Sequence, residues 1–256
     1  MLHSLSEENI KKFLKHKLNI KVLDTVGSTN TELKKMARAG EPCGTVLIAK
    51  HQTKGRGRLG RSFFSPENSG IYMSILFRPR FDASKAQLIT AAGAVSVCRA
   101  LEDEGAENLG IKWVNDIFSG NKKVSGILTE VGFKNNSDEL DFLIVGIGIN
   151  VTPSVFPDDI KNIAGSVFNK NDIDKNKIIA NVLNYLCDFY KNIDTLKFLD
   201  EYKERSILKN RDVILVSPVK EINAKVLGID DECRLIVKLS DGTVTHISTG
   251  VVSVRF

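Results

Sequence analysis

In the stretch HQTKGRGRLGRSFF (residues 51–64), three glycines and three arginines interleave between Gly55 and Arg61. Glycines let backbone N–H groups converge, and guanidiniums add bidentate positive charge, so the combination suits a phosphate or a carboxylate. The same letters spell G-x-G-x-x-G, the dinucleotide fingerprint, which needs a helix directly behind it. The next residues, RSFFSPENSG, carry Pro66, two aromatics and a glycine and lead into a strand. That excludes the dinucleotide reading. A disordered arginine–glycine arm for nucleic acid would sit at a terminus, whereas this loop is pinned between two apolar strands. A merely solvated loop has no need of the interleaving. The residues therefore predict a moving lid over an anion.

A second group lies in GIKWVNDIF (110–118), read as a strand holding Lys112 and Trp113 with Asn115 and Asp116 at its end. A lysine in an apolar strand either snorkels to water or faces a ligand. Lys123 precedes Ser125 and Gly126, where the backbone can approach a ligand closely. Asn150 ends the strand GIGIN, as an ordinary turn residue or as part of a site.

The charge distribution supports a local anion. The 256 residues carry 36 Lys+Arg and 31 Asp+Glu, net +5. No acid lies between Glu41 and Glu67, while Lys50, Lys54, Arg56, Arg58 and Arg61 do, and outside them the charges balance. One basic loop on a neutral chain argues against a nucleic-acid-binding surface. No apolar run is long enough to span a bilayer, and the start, MLHSLSEENIKK, lacks a secretory signal's apolar core. Cys43, Cys98, Cys187 and Cys233 are too scattered for zinc and read as free thiols of a reducing cytoplasm.

The positioning elements read as α+β: a mixed or antiparallel sheet with helices on one face. Residues 1–19 hold a short helix from Ser6 to about Leu18. Strands are expected at 20–26, 45–52, 69–79, 109–118, after a turn at Ser119–Lys122, and 141–151. Helices are expected from Thr29, capped by a Thr29–Glu32 box, to Gly40, at 84–104, near 175–190, and at 195–205. From about Asn210 short strands come at close intervals, predicting a small SH3-like barrel. The expected domains are 1–208 and 209–256.

Five motifs in order resemble those of biotin–protein ligases: Ser28-Thr29-Asn30, Gln52 to Arg61, Lys112 to Asp116, Lys123 to Leu128, and Gly146 to Val151. The resemblance runs from about Val22 to the C-terminus and implies a class II synthetase-like catalytic domain with an SH3-like terminal module. It implies that ATP, carrying Mg²⁺, activates biotin to biotinyl-5′-AMP. Biotin then passes to one lysine of a biotin carboxyl carrier domain of a carboxylase. It implies that Lys123, Arg58 and Lys112 neutralise the reacting groups; no residue pattern identifies a protein metal ligand. Ser28, Thr29, Asn30, Gln52, Gly55, Arg56, Gly57, Arg58, Lys123 and Gly126 would bind biotin. Arg58, Arg61, Lys112, Asn115, Asp116 and Asn150 would lie by the nucleotide, and Phe63 or Phe64 would cover the biotin tail. Val114 stands where the family often has proline, and Phe63 where it often has tryptophan. The roughly 19 residues before the first strand are too few for a DNA-binding winged helix. Neither DNA nor a membrane is expected as a partner, and a homodimer is left open. The alternatives are a lipoate–protein ligase of related fold and a non-catalytic binding protein.

Overall fold

The computed structural model describes residues 4–216 and 221–248, and the backbone of 253–255. The main sheet contains β1 (Asn19–Val26), β2 (Thr45–Gln52), β3 (Gly70–Phe77), β4 (Leu109–Lys112), β5 (Asp116–Ser119), β6 (Lys122–Phe133) and β7 (Leu140–Asn150). Their order is β1-β2-β3-β7-β6-β5-β4. β1 and β2 run parallel because α2 (Thr29–Arg38) carries the chain back between them; the other neighbours pair antiparallel.

The sheet is covered on both faces, a correction to the expectation of helices on one. Ile75, Val145, Ile147 and Ile149 share a buried cluster with the alanine-rich α3 (Ala86–Glu102) and with α4 (Lys175–Lys191). On the opposite face Leu33 and Ala37 of α2 pack against Leu47, Leu76, Phe142 and Ile144. Alternation along β7 divides these sets, because successive side chains of a strand point to opposite faces. α2 covers only part of its face, and the remainder is the floor of the site.

Three expected elements come out differently. The first helix is confined to α1 (Glu7–Lys11), capped by the Ser6 hydroxyl. Beyond it Asn184 of α4 accepts from the Lys15 N–H at 2.8 Å and donates to the Phe13 carbonyl at 3.0 Å, replacing helical partners. The strand expected at 109–118 is a hairpin, β4 paired with β5, turning at Trp113–Asn115 around a cis Trp113–Val114 peptide. Trp113 and Val114 are buried there. The Trp113 indole donates to the Cys233 carbonyl at 2.8 Å, and the Tyr202 hydroxyl to the Val114 carbonyl at 2.9 Å. Lastly, Leu196 in the left-handed region (φ 51°) interrupts the helix expected at 195–205, leaving α5 (Leu199–Glu204).

The C-terminal strands β8 (Asp212–Val216), β9 (Glu221–Ile229), β10 (Leu235–Leu239), β11 (Val244–Ile247) and β12 (Ser253–Arg255) form a second, antiparallel sheet. Its order is β11-β10-β9-β8-β12. The expected strand ends at Ser217–Pro218, Val252 and Phe256 lie outside the described residues. Val213, Val226, Leu235 and Val237 belong to the same buried cluster as α3 and the main sheet. Among the described residues no helix is long and apolar enough to cross a membrane.

Candidate functional site

A trough on the face that α2 leaves open is built from three adjoining cavities, all reached by the glycine–arginine loop. Ser28, Thr29 and Asn30 at the start of α2, Gln52 at the end of β2, and Gly126, Gly146 and Gly148 line the inner cavity. Its polar groups form one chain. Gln52 Oε1 accepts from the Thr29 N–H at 2.8 Å and from its hydroxyl at 3.1 Å. The Ser74 hydroxyl bonds Thr29 Oγ1 at 2.7 Å and Asn30 Oδ1 at 2.6 Å. Asn30 Nδ2 donates to the Leu128 carbonyl at 3.1 Å and to Glu130 at 3.0 Å. Thr29 is thus a member of this network and not a helix cap. The N-cap position is Ser28, and the expected Thr29–Glu32 box does not form.

The inner cavity exists because two residues of β7 have no side chain. A Cβ at Gly146 would overlap Asn30 Oδ1, and one at Gly148 would lie 2.6 Å from the Phe63 ring. Phe63 closes the cavity from the loop, edge-on to Tyr72 at 6.4 Å between centroids.

The loop itself is a tight hairpin. The Phe63 N–H donates to the Gly55 carbonyl at 3.0 Å and the Gly57 N–H to the Arg61 carbonyl at 2.7 Å. A 3₁₀ turn at Arg58–Gly60 forms the tip. Gly55 lines none of the three cavities; a Cβ there would collide with the Phe63 carbonyl and lie 2.7 Å from Ser65 Oγ. Its place is inside the loop.

Arg56, Gly57, Arg58, Arg61, Lys112, Asn115, Asp116, Lys123 and Gly126 all line the middle cavity. Arg58 Nη1 donates to Asn115 Oδ1 at 3.2 Å, while Asn115 Nδ2 holds the Ile127 carbonyl at 2.8 Å, fixing the hairpin to β6. Lys123 Nζ sits 2.6 Å from Asp116 Oδ1. Burial pulls both the Arg58 guanidinium and the Lys112 ammonium below their ordinary ranges. Arg58 Nη2 is buried with no hydrogen-bond partner among the described residues. A buried guanidinium nitrogen without an acceptor is costly, and an anion seated there would relieve it.

The outer cavity, about 470 Å³, is of the size that takes a small molecule. Arg61, Lys112, Asp116, Lys123 and Asn150 enter it from the polar side, with Phe64, Phe118, Phe156 and Ile160 as apolar walls. Asn150 Nδ2 donates to the Gly165 carbonyl at 3.1 Å, tying the segment that supplies Phe156 and Ile160 to the end of β7. Among the described residues no group of three or more His, Cys, Asp or Glu could hold a metal ion.

Sequence reasoning missed Ser74, Glu130 and the wall formed by Phe156 and Ile160. Glu130 had a signal: an acid inside the apolar strand GILTEVGF is as unusual as Lys112 in its own strand. Arg56 Nη1 lies 3.2 Å from both Glu130 oxygens, and Lys34 Nζ 3.4 Å from Oε1. Burial opposes ionisation of Glu130, but the Asn30 bond, Arg56 and Lys34 together outweigh it and hold the carboxyl below the usual range.

A mixed sheet carries an elongated trough, polar at one end and cationic at the middle, that is suited to hold an elongated anionic ligand. Residues 22–150 match the Biotin/lipoate A/B protein ligase family and residues 210–255 the Biotin protein ligase C terminal domain, so the chain belongs to this family. The chain is 34% identical to the bifunctional ligase/repressor BirA of Bacillus subtilis, over 86% of this chain and 69% of that protein. It is 30% identical to the biotin–[acetyl-CoA-carboxylase] ligase of Mycobacterium tuberculosis, over 91% and 88%. The Aquifex aeolicus biotin protein ligase in complex with biotin and ATP superposes with a TM-score of 0.78 at 30% identity, covering 93% of this chain and 98% of that one.

Proposed function

We propose that this chain is a biotin–protein ligase acting in two steps. A carboxylate oxygen of biotin attacks the α-phosphorus of ATP, giving biotinyl-5′-AMP and pyrophosphate. The ε-amine of a carrier-domain lysine then attacks the acyl carbon, forming the amide and releasing AMP. The observation that carries this reading is the Nη2 of Arg58, buried in the middle cavity without a hydrogen-bond partner among the described residues. In the first step two anions must be brought together, which calls for fixed positive charge and positioning before any acid–base group.

In this reading Ser28, Thr29, Asn30 and Gln52 hold the ureido head. Gly126 and Gly57 let backbone approach the tail, and Arg58, Lys112 and Lys123 neutralise the carboxylate and phosphates. Arg61, Asn115, Asp116 and Asn150 face the nucleotide, which brings Mg²⁺ with it. The loop folds over the adenylate, a mixed anhydride, and keeps water away. Residues 1–208 would carry this chemistry, with 209–256 as the accessory module. The partner is a biotin carboxyl carrier domain. Four free thiols fit a reducing cytoplasm.

The test is biotin-dependent exchange of labelled pyrophosphate into ATP, with lipoate as control. Exchange with biotin alone is expected. Exchange with lipoate alone would make the chain a lipoate–protein ligase, and exchange with neither would leave a binding protein.

A further inference from the structure

We propose that Glu130 and Arg56 form a clasp fastening the glycine–arginine loop to the sheet, which makes Glu130 a positioning residue for the ligase reaction. The role in catalysis rests on the proposed function of the trough. Arg56 stands on the first leg of the loop and reaches across to β6, its Nη1 3.2 Å from each Glu130 oxygen. The Glu130 side chain is 14% exposed, so the pair is shielded on one side and open on the other. The same carboxylate accepts from Asn30 Nδ2 at 3.0 Å.

The second leg of the loop is fastened through the same network. Gln52 Nε2 donates to Ser65 Oγ at 2.9 Å, and the Ser65 hydroxyl donates to the Phe63 carbonyl at 2.9 Å. A circuit results: first leg, Glu130, Asn30, Ser74, Thr29, Gln52, second leg. The side chains expected to hold the head of the substrate are those that hold the loop down over it.

The clasp gives the Arg56 side chain a second task. Arg56 and Lys34 share the one Glu130 carboxylate, which leaves a net positive charge beside the inner and middle cavities that Arg56 lines. Further along, Arg58 Nη2 has no hydrogen-bond partner among the described residues and Lys112 is partly desolvated. The carboxylate is drawn there, into the middle cavity. Arg56, expected to meet the carboxylate end of biotin, also serves as the loop's fastener.

Two measurements test this. The first needs no substrate: limited trypsin digestion of the ligand-free protein, with cut sites read by mass spectrometry. Glu130→Gln keeps an acceptor for Asn30 and removes the charge. Cleavage after Arg58 and Arg61 is expected to be about fivefold faster than in wild type, and equal rates overturn the clasp. The second tracks escape of biotinyl-5′-AMP from the loaded protein together with KM values in pyrophosphate exchange. Glu130→Gln and Arg56→Met should each speed escape and raise KM for biotin about fivefold, with KM for ATP moving less than about twofold. The double variant should be no worse than either single one, and Arg56→Lys should restore most of the loss. Effects that multiply in the double variant overturn the clasp. Arg56 is 46% exposed, so its variants fold even where Glu130→Gln does not. A wild-type protein without biotin-dependent exchange would remove the proposed function, while the trypsin comparison still judges the clasp.

Discussion

At the scale of single residues, Lys112 is the group whose chemistry depends most visibly on its surroundings. Burial holds its pKa below the ordinary 10.5. The useful charge is present below that folded pKa and is lost as pH rises through it. The pH dependence of kcat/KM reports groups of the free enzyme. The alkaline fall of kcat/KM for ATP in pyrophosphate exchange is therefore expected below pH 10.5, and Lys112→Arg should extend the plateau upward. An alkaline limb that does not move in the arginine variant would take Lys112 away from the substrate. Much at this scale is legible in the sequence. Motif order singles out Ser28, Gln52, Arg58, Lys112, Lys123 and Asn150, and the fold gathers them along one trough. Two roles are not legible. A hydroxyl at a helix start caps the helix or faces a neighbour depending on which strand lies alongside, so spacing alone misassigns Thr29. Glu130 acquires its place from Arg56, 74 positions away in the chain.

Among the elements, β7 does most to shape the trough. Ile147 and Ile149 fill the core, while Gly146, Gly148 and Asn150 face the site between them. Gly146→Ala would drive a methyl group into Asn30 Oδ1, the acceptor of the Ser74 hydroxyl. Overpacking of this kind costs about 1–3 kcal/mol. We expect a lower Tm and a rise in KM for biotin of at least about tenfold, with KM for ATP nearly unmoved. Thermal unfolding and exchange kinetics check it, and an unaltered KM for biotin would detach the inner cavity from the head group. Strands such as β2, β3 and β7 are readable because their apolar runs end in clear turn signals. The hairpin at 109–119 is not, since Trp113 and Val114 are good strand residues. What turns the chain is Tyr202 and the Cys233 carbonyl, both distant in sequence.

Across the whole molecule, the turn at residues 230–234 of the C-terminal module holds the hairpin beside the trough. Asp230 accepts from the backbone N–H groups of Glu232 and Arg234 and from the Arg234 side chain, shaping that turn. The Cys233 carbonyl, in a residue at φ 59°, then receives both the Trp113 indole and Gln87 Nε2. Trp113 adjoins Lys112 and lies two residues from Asn115, which holds Arg58. Trp113→Phe keeps an aromatic ring and deletes the donor, at a cost of about 1 kcal/mol. A fall of severalfold in kcat/KM for pyrophosphate exchange is expected, although no atom of residue 233 enters the three cavities. Unchanged exchange kinetics would mean that the hairpin stands without the module.

The buried cluster that runs unbroken from α3 into β8, β9 and β10 has a consequence of its own. The two stretches that match separate families, 22–150 and 210–255, are units of ancestry. They are not separate in packing, because buried residues of both fall in one hydrophobic cluster. Cutting the chain between them would remove Val213, Val226 and Leu235 from the cluster they share with the main core. Loss of activity in such a fragment is to be read beside its Tm, because lost packing and lost chemistry would look alike in an activity assay.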